Sequence, residues 1–256
     1  MTEKYKAPAV KKAFQILKFI ADSDRGLGIS ELAKSLEMAK GTVHGITSIL
    51  EELGAIARDP ATKRYELGLT LFELGRQAYS QIDLRKIARP VMEELMEKVQ
   101  ETVFFGVMNR EHVTILEIVE CGHDLKITAP VGTIIPLFVA ATGKVFLAGL
   151  DENEAIKIID KKGLPRHTDK SITDPKEFFE EIRKVRQRGY ATDIGEYVSG
   201  LRAIAAPIKG ESGQLAAIWV VGFKASLDEG KMRLLKKEIR VAVDAINQRI
   251  REQSKL

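Results

Sequence analysis

At 256 residues and 28.5 kDa the chain exceeds the common size of one domain and has material for a sizeable core, so one to two domains are expected. A composition of 45% hydrophobic and 30% charged residues excludes a disordered chain, and a net charge of +4 with a pI near 9.0 favours anionic partners only weakly. The single cysteine, Cys121, excludes an intrachain disulfide; the start MTEKYKAPAV lacks the apolar run of a secretion signal and no stretch is long enough to span a bilayer, so a cytoplasmic protein without membrane association is expected.

The first segment, APAVKKAFQILKFIADSD, places Val10, Phe14, Leu17 and Ala21 on one helical face that can close a small core. ISELAKSLEM follows as a short helix with Ser30 placed as its N-cap. After a four-residue turn, GTVHGITSILEELG puts Val43, Ile46, Leu50 and Leu53 on one stripe, while Gly41, His44, Gly45 and Ser48 occupy the other face near the N-terminal end. A helix in a major groove reads bases with such residues. ARDPATKRYELG then carries turn chemistry between two short β-prone runs, which places Arg58, Lys63 and Arg64 on a hairpin suited to phosphate contacts. Three helices and a basic hairpin read as a winged helix-turn-helix over residues 1–68; the alternative is a three-helix structural module with a solvated wing.

Residues 69–82 are helix-prone, with Leu71, Leu74 and Ala78 on one stripe, and form a linker helix; Pro90 marks a restart into a docking helix. The stripe can pack on its own domain or on another subunit, and helix-turn-helix proteins pair to reach two half-sites.

From Thr102 the pattern turns to β-rich runs, VFFGVMN, REH, VTILEIVEC and LKITAP. Helix starts are signalled by Asp151 with Glu154, Asp174 with Pro175 and Glu177, and Ser226 with Glu229. RAIAAPI, the turn KGESGQ and LAAIWVVGF read as a hairpin before a long last helix. Residues 83–256 therefore read as an α+β ligand-binding domain.

No HExxH, CxxC pair, GxSxG or GxGxxG occurs, so an enzyme is not expected, and neither is a cofactor. The triplet Thr142, Gly143, Lys144 is not a phosphate loop, because Phe138 stands at its first glycine and Val145 at its hydroxyl position. Cys121 and His123 lack partners for a tetrahedral metal site. AATGKVFLAGL is a helix whose first turn, with Thr142 and Gly143, suits an anion, or is simply a tight loop entering a helix.

The run GLGISELAKSLEMAKGTVHGITSILEELGAIARDPATKRYELG, followed in order by TGKVFLA and GYATDIGEYVSGLRAIAAPI, resembles the IclR family of bacterial and archaeal transcription regulators over nearly the whole chain. The resemblance implies an N-terminal winged helix-turn-helix, a C-terminal GAF-like effector domain, and homodimers or homotetramers on double-stranded operator DNA controlled by a small organic acid. By position it implies DNA contacts from Ser30, Lys40, Thr42, His44 and Ser48, with Arg58, Lys63 and Arg64 in the wing. The family's Ser-Thr-Val-His-Arg pattern becomes Gly41, Thr42, Val43, His44 and Gly45 here, so its serine and arginine are missing. The effector site maps onto Ala141, Thr142, Gly143, Asp193, Ala203, Trp219 and Val221. Members that bind small keto acids carry small polar side chains at several of these places, whereas this chain has Ala203, Trp219 and Val221. A less polar site is implied, in which Trp219 either lies flat against an aromatic or larger apolar acid or is simply core. Other readings are an enzyme or signalling module whose N-terminal helices only dimerise, and a non-specific nucleic-acid protein.

Overall fold

The computed structural model describes residues 7–80, 83–109, 112–138, 140–209 and 215–253. The chain divides into two compact units, 1–82 and 83–256.

The first unit holds α1 (Pro8–Ala21), α2 (Ile29–Ser35), α3 (Lys40–Glu52), the antiparallel pair β1 (Ile56–Arg58) and β2 (Tyr65–Leu67), and α4 (Leu69–Ser80). Its core is Ile16 and Ile20 of α1, Leu32 and Ala33 of α2, Val43 and Leu50 of α3, and Tyr65 of β2. The expected α1 stripe is rotated: Ile16 and Ile20 face inward, Leu17 is only partly buried, and Val10 and Phe14 point to solvent. On α3, Leu53 is likewise exposed, and the buried row is Val43, Thr47 and Leu50. Thr47 enters the core because its hydroxyl donates to the Val43 and His44 carbonyls, at 2.9 and 3.0 Å, so no polar group is left unmet. Ser30 does not cap α2. The N-cap is Gly28, whose N–H donates to Glu31 Oε2 at 2.8 Å, and Ser30 lies exposed in the first turn.

The second unit opens with α5 (Asp83–Val99), which runs through Pro90, so the helix restart falls at Asp83 and not at the proline. Strands β3 (Val103–Asn109), β4 (His112–Val119) and β5 (Ile134–Pro136) follow, then α6 (Ala140–Ala148), α7 (Glu152–Lys162), α8 (Pro175–Arg188), β6 (Ala191–Asp193), β7 (Leu201–Lys209), β8 (Leu215–Phe223) and α9 (Glu229–Gln253). The six strands form one sheet in the order β5-β4-β3-β8-β7-β6, each pair antiparallel. Both edge strands are three residues long, which limits open edge for stray pairing.

Alternation along the strands builds two cores. Helices α5 and α9 pack on one face; α6, α7 and α8 lie over the other, against Phe104, Ile115, Ala203, Ala205 and Trp219. Asp151 and Asp174 cap α7 and α8 as expected, accepting from the N–H groups of Asn153 and Glu177 at 2.9 Å each. Ser226 does not cap α9: its hydroxyl donates to the Phe223 carbonyl, and Asp228 accepts from the Lys231 N–H instead. The LKITAP run is not a strand. Lys126 pairs with Glu120 at 2.9 Å and donates to the Cys121 carbonyl at 3.3 Å, and Thr128 also bonds to Glu120, so the segment curls back on the end of β4. The expected turn KGESGQ from residue 210 to 214, Arg110, Glu111 and the Ala78 side chain lie outside the described residues.

Helix α6 is apolar nearly all round and buried from Ala141 to Leu147, as expected of a helix inside a core. Gly143 lets it lie there: a Cβ at that position would come within 2.0 Å of the Leu137 carbonyl oxygen. Gly143→Ala should therefore destabilise the second unit by about 2–3 kcal/mol through forced backbone movement, read as a lowered urea midpoint. An unchanged midpoint would show that the α6 contact yields without cost.

Candidate DNA interface and effector pocket

On the first unit, Lys40, Thr42, His44 and Ser48 all sit on solvent-exposed positions of α3, together with Gly41 and Gly45. Nothing lies within 4 Å of where a Cβ on either glycine would stand. The exposed end of α3 is thus low and open, with backbone approachable between the side chains.

The wing is built by Asp59, whose Oδ1 accepts from the N–H groups of Ala61 and Thr62 at 2.8 and 2.6 Å. These bonds hold its carboxyl below the usual carboxylate range, Thr62 contributing most. Lys63 occupies the tip in a left-handed conformation, with φ of 59°, and is exposed. Arg58 lies 5.6 Å from the Tyr65 ring centroid and donates to the Lys63 carbonyl at 3.4 Å, with its residue still exposed.

Arg64 is placed differently from its expected role. Its guanidinium grips Glu31 with two bonds, Nη1 to Oε2 at 2.8 Å and Nη2 to Oε1 at 2.6 Å. The same Glu31 closes the α2 cap, and the Gly28 N–H first, with Arg64 adding to it, holds its carboxyl below the usual glutamate range. Arg64 therefore ties the wing to α2. A shallow groove of about 340 Å³ lies between them, with Ser30, Arg58 and Lys63 on its walls.

In the second unit a cavity of about 300 Å³ opens beside α6, a volume at the lower end of small-molecule sites. It brings together Thr142, Asp193, Ala203, Trp219 and Val221. Ala141 and Gly143 are not on its wall: Ala141 packs in the helix core and Gly143 faces the Leu137 backbone. Asp193 ends β6, is 3% exposed, and accepts from the N–H groups of Glu196 and Tyr197 at 2.6 and 3.3 Å.

Trp219 is both core and lining. It is buried and stacks on Phe104, its cross-strand partner, with ring centroids 5.6 Å apart and planes 4° from parallel. The close approach is possible because Gly106, at a bulge in β3, has no Cβ; one would stand 2.8 Å from the indole Cη2. The sequence reading missed Phe104, although its register opposite Trp219 marks it once strand order is known. It also missed Ile127, Thr128 and Ala129, which reach the cavity from the irregular segment, and Tyr197 and Val198 from the turn after Asp193.

Among the described residues no three His, Cys, Asp or Glu side chains cluster as a metal site, and no helix is long and apolar enough to cross a membrane.

Comparison with known proteins agrees with both halves. Residues 9–60 match the model of the IclR helix-turn-helix domain, and residues 76–248 match that of the bacterial transcriptional regulator IclR C-terminal region. The HTH-type transcriptional regulator KdgR of Escherichia coli K12 is 31% identical over 215 residues, 84% of this chain and 81% of its own length. Among solved structures, an IclR transcriptional regulator from Alicyclobacillus acidocaldarius superposes with a TM-score of 0.81 at 25% identity, over 96% of this chain and 100% of the other. An IclR homolog from Microbacterium hydrocarbonoxydans, solved with 4-hydroxybenzoate, has the same fold, with a TM-score of 0.77 at 22% identity over 95% and 99% of the two chains. The winged helix-turn-helix and the α+β domain with its cavity are thus the two halves of one regulator design, and the chain belongs to the IclR family of DNA-binding transcription regulators with a ligand-binding C-terminal domain.

Proposed function

We propose that this regulator binds its operator as a dimer or a pair of dimers and is controlled by an organic acid with an aromatic or extended apolar body. The observation that carries the effector class is the cavity wall: Trp219 and Phe104 form a stacked floor, with Ile115, Ala203 and Val221 around it. Apolar walls with a few polar groups favour an amphiphilic ligand over a small keto acid. The first turn of α6, marked by Thr142, offers a helix N-terminus to a carboxylate, and Asp193 offers an acceptor to a ligand hydroxyl. An acid carrying both groups fits this pair. The 4-hydroxybenzoate held by the Microbacterium homolog is such a molecule on a shared fold.

On DNA, the end of α3 enters the major groove with Lys40, Thr42, His44 and Ser48, while Ser30, Arg58 and Lys63 meet phosphates along the groove beside the wing. Gly45 costs α3 about 0.5–1 kcal/mol relative to alanine without relieving any clash, which supports a role in close approach to the duplex.

Residues 69–82 serve as the linker. As a helix of twelve residues α4 is marginal in water by itself, and Leu69 and Phe72 are 69% and 67% exposed. With Val10 and Phe14 of α1, they present more apolar side chain than a monomer covers, which supports pairing with a second copy.

Lys63→Ala should weaken operator binding and lower the slope of log affinity against log salt by about one, whereas Arg64→Ala should leave the slope nearly unchanged; anisotropy on the DNA upstream of the coding region measures both, and an unaltered slope for Lys63→Ala would remove the wing contact. Titration with 4-hydroxybenzoate should change Trp219 fluorescence and operator affinity where pyruvate does not; silence to both acids would refute the organic-acid reading. Phe72→Asp should shift sedimentation toward monomer and cut operator affinity by at least about tenfold, through lost bivalency, and a wild type that sediments as a monomer would refute the pairing.

A further inference from the structure

In the triplet Thr142, Gly143 and Lys144, Thr142 lines the cavity, Gly143 meets the Leu137 backbone, and Lys144 does neither. It is 2% exposed, on a helix that is apolar apart from it and Thr142. A buried ammonium is costly unless it is paired and hydrogen-bonded, so its partners are obligatory. Nζ lies 2.7 Å from Glu196 Oε1 and donates to the Thr192 carbonyl at 3.0 Å. These acceptors flank Asp193, at the head of the turn that carries Tyr197 and Val198 to the cavity.

That turn has little apolar anchorage, since Ile194, Tyr197 and Val198 are all exposed. Its ring contact is Tyr197, set edge-on against His167 with centroids 4.8 Å apart, and its other holds are polar. Asp193 accepts the N–H groups of Glu196 and Tyr197, and from the outer side Thr168 and Ser171 donate to the Gly195 and Glu196 carbonyls at 2.8 Å each. Among these bonds, those of Lys144 are the ones that join the turn to α6. Burial pushes the Glu196 carboxyl above the usual glutamate range against the pull of Lys144, so this carboxylate also depends on the ammonium to stay charged.

We propose that Lys144 is a positioning residue of the effector pocket, whose ammonium fastens the turn of residues 193–198 to α6 and so holds Asp193, Tyr197 and Val198 as the cavity's wall. Lys144 does not line the cavity and touches no ligand. The inference rests on the reading of the cavity as the effector site, but its main test does not need an effector.

Trp219 is the chain's sole tryptophan and lines the same cavity as the turn, so acrylamide quenching of its fluorescence reports whether the turn is seated. Lys144→Met should raise the quenching constant on the order of threefold through local opening, with the far-UV circular dichroism retained. Lys144→Arg, which can still reach Glu196, should recover most of the protection. Should Lys144→Met fail to fold, Glu196→Ala removes the acceptor from the more exposed side of the same pair and should raise quenching likewise. Quenching at the wild-type level in folded variants, even with a lower melting temperature, would reduce Lys144 to a stability role and overturn the proposal. A second arm titrates 4-hydroxybenzoate: wild type that binds it and Lys144→Met that binds at least tenfold more weakly supports the positioning role. Wild type that binds neither 4-hydroxybenzoate nor pyruvate overturns the organic-acid reading alone, because the quenching arm still decides the wall.

Discussion

Burying one ammonium group constrains most of what surrounds the cavity. Lys144 sits in α6 where solvent cannot reach it, so the chain must bring a carboxylate and a carbonyl to that point. They come from the segment after β6, which places that segment against α6, and the segment in turn carries Asp193, Tyr197 and Val198. Gly143 sets the depth of the same helix, since any larger residue would push α6 off the Leu137 backbone and take the ammonium with it. Adjacent residues of one triplet thus fix the helix, its charge and the wall that the charge selects.

The first unit shows the same economy with opposite sign. Glu31 accepts the Gly28 N–H that opens α2 and the fork of Arg64 from the wing, so one carboxylate fixes both the start of a helix and the attitude of the hairpin. The pair is partly solvated and worth little as stability. Its effect is geometric, for it leaves Lys63 at the tip and Arg58 beside it as the wing's outward cations. Protonating Glu31 would release both contacts at once, and since its carboxyl titrates below the usual range, that happens only in acid.

The elements that the sequence made legible are those with strong local chemistry. Helices with aspartate caps and Pro at N1, the Asp59 turn, and the α+β order of the second unit follow from short-range signals. What the sequence concealed depends on contacts far along the chain. The α1 stripe is ambiguous in sequence because Val10 and Phe14 are as apolar as Ile16 and Ile20, and only the packing of the rest of the unit decides which pair is inside. Arg64 looks like Lys63 until Glu31, thirty-three residues away, is folded beside it. At the pocket, Asp193, Trp219 and Val221 could be placed by family resemblance, yet the wall formed by Ile127 to Ala129 has no repeating pattern and no local signal. Gly143 carries a signal for close approach that does not say what approaches, and the partner is the Leu137 backbone.

A recognition helix with two exposed glycines narrows how this regulator can discriminate among sequences. Direct readout needs side chains long enough to reach base edges, and on α3 the exposed positions proposed for that work are chiefly Lys40, Thr42, His44 and Ser48. Few such contacts yield limited discrimination, at about 1–3 kcal/mol for each good base pair read. In the proposed DNA complex the same glycines let the helix backbone sit deeper, bringing Lys40 and the wing cations closer to the phosphates, so that binding would respond to groove width and duplex stiffness. Specificity of that kind would be sensitive to the spacing and attitude of the two DNA-binding units in the proposed dimer. An effector that favours one arrangement over another then changes operator affinity without touching a base contact, which is the form a coupling between two distant sites has to take.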